Sequence, residues 1–423
     1  MEAPSDVLIL GAGVTGLAAA SELGSAGRHV TLLEARDRIG GRIFTLHPPD
    51  ASSPVELGAE FVHGHPPELL SRLDEAHIAR EEISGIDACF RDGKLSACPA
   101  NDSFALLDQL AGLVRREGDM SFDEFLERRQ PGAETGTQAR SFVEGFNAAD
   151  AHRIGIAALA YQQQAEEEID GDRSSRPLNG YDALPRHLAT QAEQAGARIL
   201  LRSPVVSLRW KPGTVTARTA SGESFSAQRV IVTLPLGVLK ARSVRFDPEP
   251  VRILAAADHM EAGSARRLVL LFRSAFWKQK MPEMRFLFAP GMTPPTYWTQ
   301  HPRDIPMLVA WIGGPNADAV RDARQLPAQA LRSLEQIFSL AERSLDGELR
   351  NSYQHDWQSD PWTRGAYSYA PVGAADCSAQ MAQPVENTLF FAGEHTDITG
   401  HWGTVHGALR SGLRVARQVL HSS

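Results

Sequence analysis

The sequence predicts an α/β chain. A parallel sheet flanked by helices is interleaved with a second, α+β domain that carries an antiparallel sheet. Three observations carry this prediction. The N-terminal residues read as strand, glycine-rich turn, helix and strand. Apolar runs of strand length recur far downstream, at 197–210, 229–235, 265–272 and 306–314. The 423 residues are too many for one ordinary core, so two domains are expected.

The first unit is "DVLILGAGVTGLAAASELGSAGRHVTLLEARD". Val7–Leu10 is a short apolar strand, Val14 to Ala26 an alanine- and leucine-rich helix, and His29 to Leu33 a second strand ending at Glu34. Between the first strand and the helix, Gly11, Gly13 and Gly16 fit G-x-G-x-x-G. Gly11 permits the tight turn, Gly13 lets backbone approach a pyrophosphate, and Gly16 lets helix and strand pack closely. The helix start offers free N–H groups and a positive dipole end to an anion. Glu34 stands where a carboxylate accepts hydrogen bonds from a ribose. The motif in this context predicts a Rossmann-like dinucleotide site.

Further along, "ARILLRSPVVSLRW" reads as two short strands around Pro204, and "RVIVTLP" as a buried strand stopped by Pro235. The run "SFALLDQLAGLVRRE" is helical by pattern, and "LPAQALRSLEQIFSLAERSL" (326–345) is an amphipathic helix. "ARRLVLLF" and "PMLVAWIGG" read as strands. "QAEEEIDGDRSSRP" (164–177) reads as a solvated charged loop, and no internal repeat is visible.

The net charge of −8 argues against a nucleic-acid partner. The cysteines, Cys89, Cys98 and Cys377, are scattered and odd in number. They suggest neither a disulfide framework nor a zinc site, and favour a reducing compartment. "MEAPSD" lacks the basic start of a signal peptide, and no apolar run is long enough to span a bilayer. A cytoplasmic protein without membrane contact, monomeric or homodimeric, is the expectation. G-x-S-x-G, the phosphate-loop lysine motif and H-E-x-x-H are absent, which removes common hydrolase and nucleotidase readings.

After Glu34 comes "ARDRIGGRIFT", in which Gly40–Gly41 lie between Arg36 and Arg42. A second anion-binding turn suits a cofactor lying extended, with its pyrophosphate gripped from two sides. Here the sequence resembles the flavin amine oxidase family, which includes polyamine and monoamine oxidases, L-amino-acid oxidases and flavin-dependent histone lysine demethylases. "VELGAEFVHG" (55–64), "VIVTLPLGVLK" (230–240), "WQSDPWTRGAYSY" (357–369), "NTLFFAGEHT" (387–396) and "GTVHGALRSGLRVA" (403–416) resemble its other blocks, in family order. The stretch 76–194 matches only loosely.

The resemblance implies FAD as cofactor and a discontinuous FAD-binding domain of residues 1–75, 195–245 and 385–423, with 76–194 and 246–384 forming the substrate domain. Carried onto this sequence, the cofactor site comprises Gly11, Gly13, Val14, Thr15, Gly16, Glu34, Ala35, Arg36, Gly41, Arg42, Gly58, Ala59, Glu60, Val205, Pro235, Trp357, Gly393, Glu394, Thr404 and Val405. Tyr367 would form one wall of an aromatic cage. Ala366 stands where monoamine oxidases carry their flavin-linking cysteine, so the FAD is expected to be non-covalent. His401 matches the second cage wall, as a cavity wall, a polar substrate contact or a backbone-bonded helix-start histidine; Trp402 is the other source of a ring. Where the family places a lysine beneath the flavin, the strand match puts Arg267, which stays charged and binds as a planar fork. It would stabilise an anionic flavin, bind a substrate carboxylate, or be a plain salt-bridged arginine.

Glu60 and His63 lie beside the expected cavity entrance, either to attract a cationic amine or as a surface pair. His63-Gly-His65 has no third ligand at a recognisable spacing, so no metal is assigned. The expected function is oxidation of a small-molecule amine by hydride transfer to flavin N5, giving an imine and then an aldehyde, with oxygen as acceptor and peroxide as product. The alternatives are an L-amino-acid oxidase or desaturase on the same scaffold, and a flavin-binding protein with little turnover.

Overall fold

The computed structural model describes residues 5–99 and 106–422. Its N-terminal unit is β1 (Ser5–Leu10), α1 (Val14–Ser25) and β2 (Val30–Leu33). Both strands pair in parallel, and β1 is also parallel to Ser224–Val232, so a distant strand completes the centre of the sheet. The eight-stranded sheet runs Arg198–Leu200, β2, β1, Ser224–Val232, Thr214–Thr219, Val205–Lys211 and Arg245–Asp247, with Leu389–Phe391 also paired to Ser224–Val232.

Alternate residues of β1 enter opposite cores. Val7 and Ile9 join one apolar cluster, Leu8 and Leu10 the other. A parallel sheet covered on both faces reads as such a continuous apolar run. One face is covered by α1, packed between the helix Ala183–Gln194 and the final helix Val405–His421. Gly16 makes this approach possible: a Cβ there would lie 2.0 Å from the Gly11 carbonyl oxygen. The helix Ala183–Gln194, within the stretch expected to serve the substrate domain, packs here instead.

A second sheet of seven strands runs Leu349–Gln354, Ala265–Phe272, Met307–Gly313, Thr296–Trp298, Met284–Phe288, Ile86–Arg91 and Lys94–Ala97. It is antiparallel except where Met284–Phe288 meets Ile86–Arg91. Helix Leu326–Ile337 covers it and ends before the run read as helical does, since Ser339 adopts a positive φ of 50°. Of the expected helix 103–117, residues 103–105 lie outside those described; Leu110–Glu117 is helical.

Two expectations are corrected. Cys89 and Cys98 form a disulfide across the hairpin Ile86–Arg91 and Lys94–Ala97, with Cα atoms 5.0 Å apart. The turn residues Asp92 and Gly93, both at positive φ, fold these distant-looking cysteines together. The cysteines therefore no longer argue for a reducing compartment. The "charged loop" 164–177 is largely structured: it begins in the last turn of helix Ile156–Glu167 and ends in the strand Ser174–Pro177. Among the described residues no helix is long and apolar enough to cross a membrane.

Candidate active site

The carboxyl ends of β1 and β2 open onto a cavity of about 2150 Å³. Gly11 holds a φ of 106°, and a Cβ on Gly13 would meet nothing, so the turn presents bare backbone to open space. Glu34 is buried, and its two carboxylate oxygens accept from the backbone N–H of Ala12 (2.7 Å) and of Arg36 (2.8 Å). The second glycine turn lies against the first, with Gly40 N–H donating to the Ala12 carbonyl at 2.8 Å.

Arg36 and Arg42 line the cavity but are not free cations. Arg36 donates to Asp360 (2.7 Å) and Thr363 (2.8 Å). Arg42 donates to Glu394 and to the Ala366 carbonyl, both at 2.8 Å. Glu394 is a junction: its other oxygen accepts from Ser368 Oγ (2.6 Å) and Gly403 N–H (2.9 Å). Burial alone would raise its carboxyl, but Arg42, His395 and Ser368 hold it at about 2. Three distant segments thus close around one carboxylate. Trp357 Nε1 donates to the Leu57 carbonyl at 2.9 Å and fixes the segment that carries Gly58 and Ala59.

The final helix points its start into the same cavity. Thr404 caps it, its hydroxyl accepting from Gly407 N–H at 3.0 Å. Thr404, Val405, Gly393, Pro235, Val14, Thr15 and Gly41 all line the cavity. Gly16, Ala35 and Val205 are not among its lining residues; Gly16 packs helix on strand, and Val205 joins an apolar cluster at a strand start.

One part of the lining is aromatic, with Tyr367, Trp402, Phe61, His63, Trp298 and Trp311. The Tyr367 hydroxyl donates to the Phe146 carbonyl at 2.5 Å. A Cβ on Gly403 would come within 2.8 Å of the Tyr367 ring, and the φ there is 74°, so glycine keeps the ring in place. Burial lowers the His63 imidazole to about 4, leaving it neutral.

His401 does not take the cage position. It is buried behind the wall, with Nε2 3.0 Å from the Ala165 carbonyl and Nδ1 accepting from Arg410 at 2.7 Å. Its neighbour Trp402 lines the cavity and is anchored by Nε1 to the Asp397 carbonyl at 2.9 Å.

Glu60 is not a surface residue. It is 4% exposed and sits between two buried arginines. Arg176 Nε donates at 2.6 Å, Arg267 donates from Nη2, and Trp298 Nε1 donates at 3.0 Å. Burial would raise its carboxyl, yet Arg176 and Arg267 hold it at about 2. Arg267 Nη1 donates to the Gly58 carbonyl at 3.2 Å, and its guanidinium lies 5.2 Å from the Trp298 ring centre. Neither Arg176 nor Trp298 was legible as a site residue, because their chemistry depends on a partner more than 100 positions away.

The cavity exceeds the roughly 300–1,000 Å³ of a single small-molecule site, leaving room for a dinucleotide and a substrate. Along it lie buried polar atoms without protein partners: both ring nitrogens of His395 and Nε of Arg267. The donor set and the bare glycine turn fit an extended flavin dinucleotide. A family model described as flavin containing amine oxidoreductase matches residues 14–420. The chain belongs to that family.

As a flavin-containing amine oxidoreductase it is 30% identical over 457 residues to polyamine oxidase 4 of Oryza sativa subsp. japonica, covering 98% of this chain and 88% of that protein. It is 30% identical over 446 residues to lysine-specific histone demethylase 1 homolog 2 of Arabidopsis thaliana, covering 98% of this chain but 58% of that one. A solved structure of a triple mutant of putrescine oxidase superposes with a TM-score of 0.86 at 25% identity, covering 99% of each chain. Cyclohexylamine oxidase from Brevibacterium oxydans IH-35A shares the fold, with a TM-score of 0.84 at 20% identity and 99% of each chain covered. The enzyme is an FAD-dependent oxidoreductase acting on a small-molecule amine. Its FAD is non-covalent, in keeping with Ala366 ahead of Tyr367.

Proposed function

We propose that the substrate is an aliphatic di- or polyamine, with oxygen as acceptor and hydrogen peroxide as product. The observation that carries this reading is the lining of one cavity. It combines aromatic rings, the buried Trp298 and Trp402 among them, with the exposed carboxylates of Glu167, Asp170 and Asp172 and the half-buried Glu166. Exposed carboxylates concentrate a polycation, and an aromatic, desolvated surface receives an uncharged amine.

Bound FAD supplies the acceptor for the hydride that leaves the amine's α-carbon. The protein's part is positioning. Tyr367 and Trp402, which line the cavity, would wall the reacting nitrogen, and neutral His63 adds no competing charge. The capped start of the final helix, at Thr404 and Val405, lines the cavity, and its free N–H groups would stabilise negative charge on a reduced flavin held there. Glu60, Arg176 and Arg267 together carry one net positive charge beside the same cavity. The cofactor unit of 1–75, 195–245 and 385–423 is supported by one sheet drawing strands from all three stretches, with Ala183–Gln194 added.

A carboxylate-bearing substrate is less well supported, since both Nη groups of Arg267 are engaged by Glu60 and the Gly58 carbonyl. Anaerobic mixing with polyamines, monoamines and amino acids, followed by flavin bleaching, decides between the readings. Bleaching fastest with di- or polyamines is expected; bleaching by amino acids alone overturns the proposal.

A further inference from the structure

Beside the aromatic lining of the cavity, three side chains from three stretches converge. Glu166 lies in the last turn of helix Ile156–Glu167, His401 in the turn before the final helix, and His406 in that helix's first turn. Ligand-type atoms of all three lie within 4.8 Å of one another. Both histidines are 1% exposed. Glu166 Oε1 and His406 Nε2 are buried and have no hydrogen-bond partner. Two such atoms left unpaired beside each other cost free energy that the cofactor site described above does not recover.

We propose that Glu166, His401 and His406 form a binding site for a divalent transition metal of the zinc type. Two imidazoles and one carboxylate are a common zinc ligand set that leaves a fourth position open. Bonds of about 2.0–2.2 Å bring ligand atoms to roughly 3.4 Å from each other, so small side-chain rotations close the site. His401 binds through Nδ1, while Nε2–H stays on the Ala165 carbonyl, the arrangement that fixes a ligating histidine's tautomer. Metal entry displaces the Arg410 Nη1 and Thr399 Oγ1 contacts to Nδ1, and Arg410 retains its partner Glu68 at 3.1 Å. Glu166 carries the one carboxylate of the trio and also lines the cavity, which gives the ion a path in. The three residues lie 235 and 5 positions apart, a spacing that no sequence motif encodes.

Chelator-treated holoenzyme titrated with zinc sulfate in a calorimeter, with zinc measured after desalting, tests the site without any substrate. One zinc per chain is expected. Glu166→Gln and His401→Gln should each weaken binding by more than about tenfold, beyond the effect of losing an outer-sphere partner. FAD absorbance per chain reports whether each variant is folded. Failure of the wild-type holoenzyme to retain zinc overturns the proposal, as does equal retention by both folded variants.

Discussion

Replacing Glu60 by glutamine removes the one anion between two buried arginines and keeps the side-chain volume. Held at about 2 instead of 4.5, this carboxylate contributes about 3 kcal/mol to stability at neutral pH. Removing one member of a buried ion pair costs about 3–5 kcal/mol, which agrees. Unfolding entropy of roughly 2.1 cal/mol/K per residue makes 1 kcal/mol worth about 1 °C in a 423-residue chain. Glu60→Gln should therefore melt about 3–5 °C lower at pH 7, read by the fluorescence of released FAD. The pH dependence is specific. A carboxyl lowered by folding stabilises above its unfolded pKa and loses that contribution as pH falls from 4.5 to about 2. At pH 3.5 about 1.4 kcal/mol of it is gone, so the gap between wild type and variant should narrow by about that many degrees. Adding Arg176→Met to Glu60→Gln should return part of the loss, because one uncompensated cation leaves with it. A gap of the same size at pH 7 and pH 3.5, or no gap at pH 7, would refute the reasoning.

Arg267→Lys should speed reoxidation of the reduced enzyme by oxygen in stopped flow; an unchanged rate would count against the strand match. Gly403→Ala places a methyl 2.8 Å from the Tyr367 ring at a φ of 74°, so kcat/KM should drop about tenfold or more with FAD still bound. Wild-type kinetics there would show that the ring position is immaterial.

Local chemistry was readable in the sequence. The turn at Gly11–Gly16, Glu34 at the end of β2 and the start of the final helix each depend on neighbours within a few residues, and all stand where their spacing places them. What depends on distant partners was not. Arg176 sits in a run rich in charge, and nothing nearby signals that it alone turns inward to Glu60. His401 and Trp402 are adjacent, so spacing cannot say which ring faces the cavity; a difference of one residue reverses them. Cys89 and Cys98 are joined by a hairpin, for which the Asp92-Gly93 turn is a local signal in the sequence.

The carboxylate of Glu394 ties Arg42, Ser368 and Gly403 together, and β1 lies between β2 and a strand almost 200 residues further on. During synthesis at about 5–20 residues per second, the glycine turn is made long before anything that closes over it. Until residues 389–412 exist, Val230–Val232 lacks its partner strand Leu389–Phe391, and Arg42 has no counter-ion at Glu394. Cofactor capture is thus a late event in the life of each molecule. A shortage of flavin should leave full-length, partly open chains rather than truncated ones, and those chains are the population that proteases will find first.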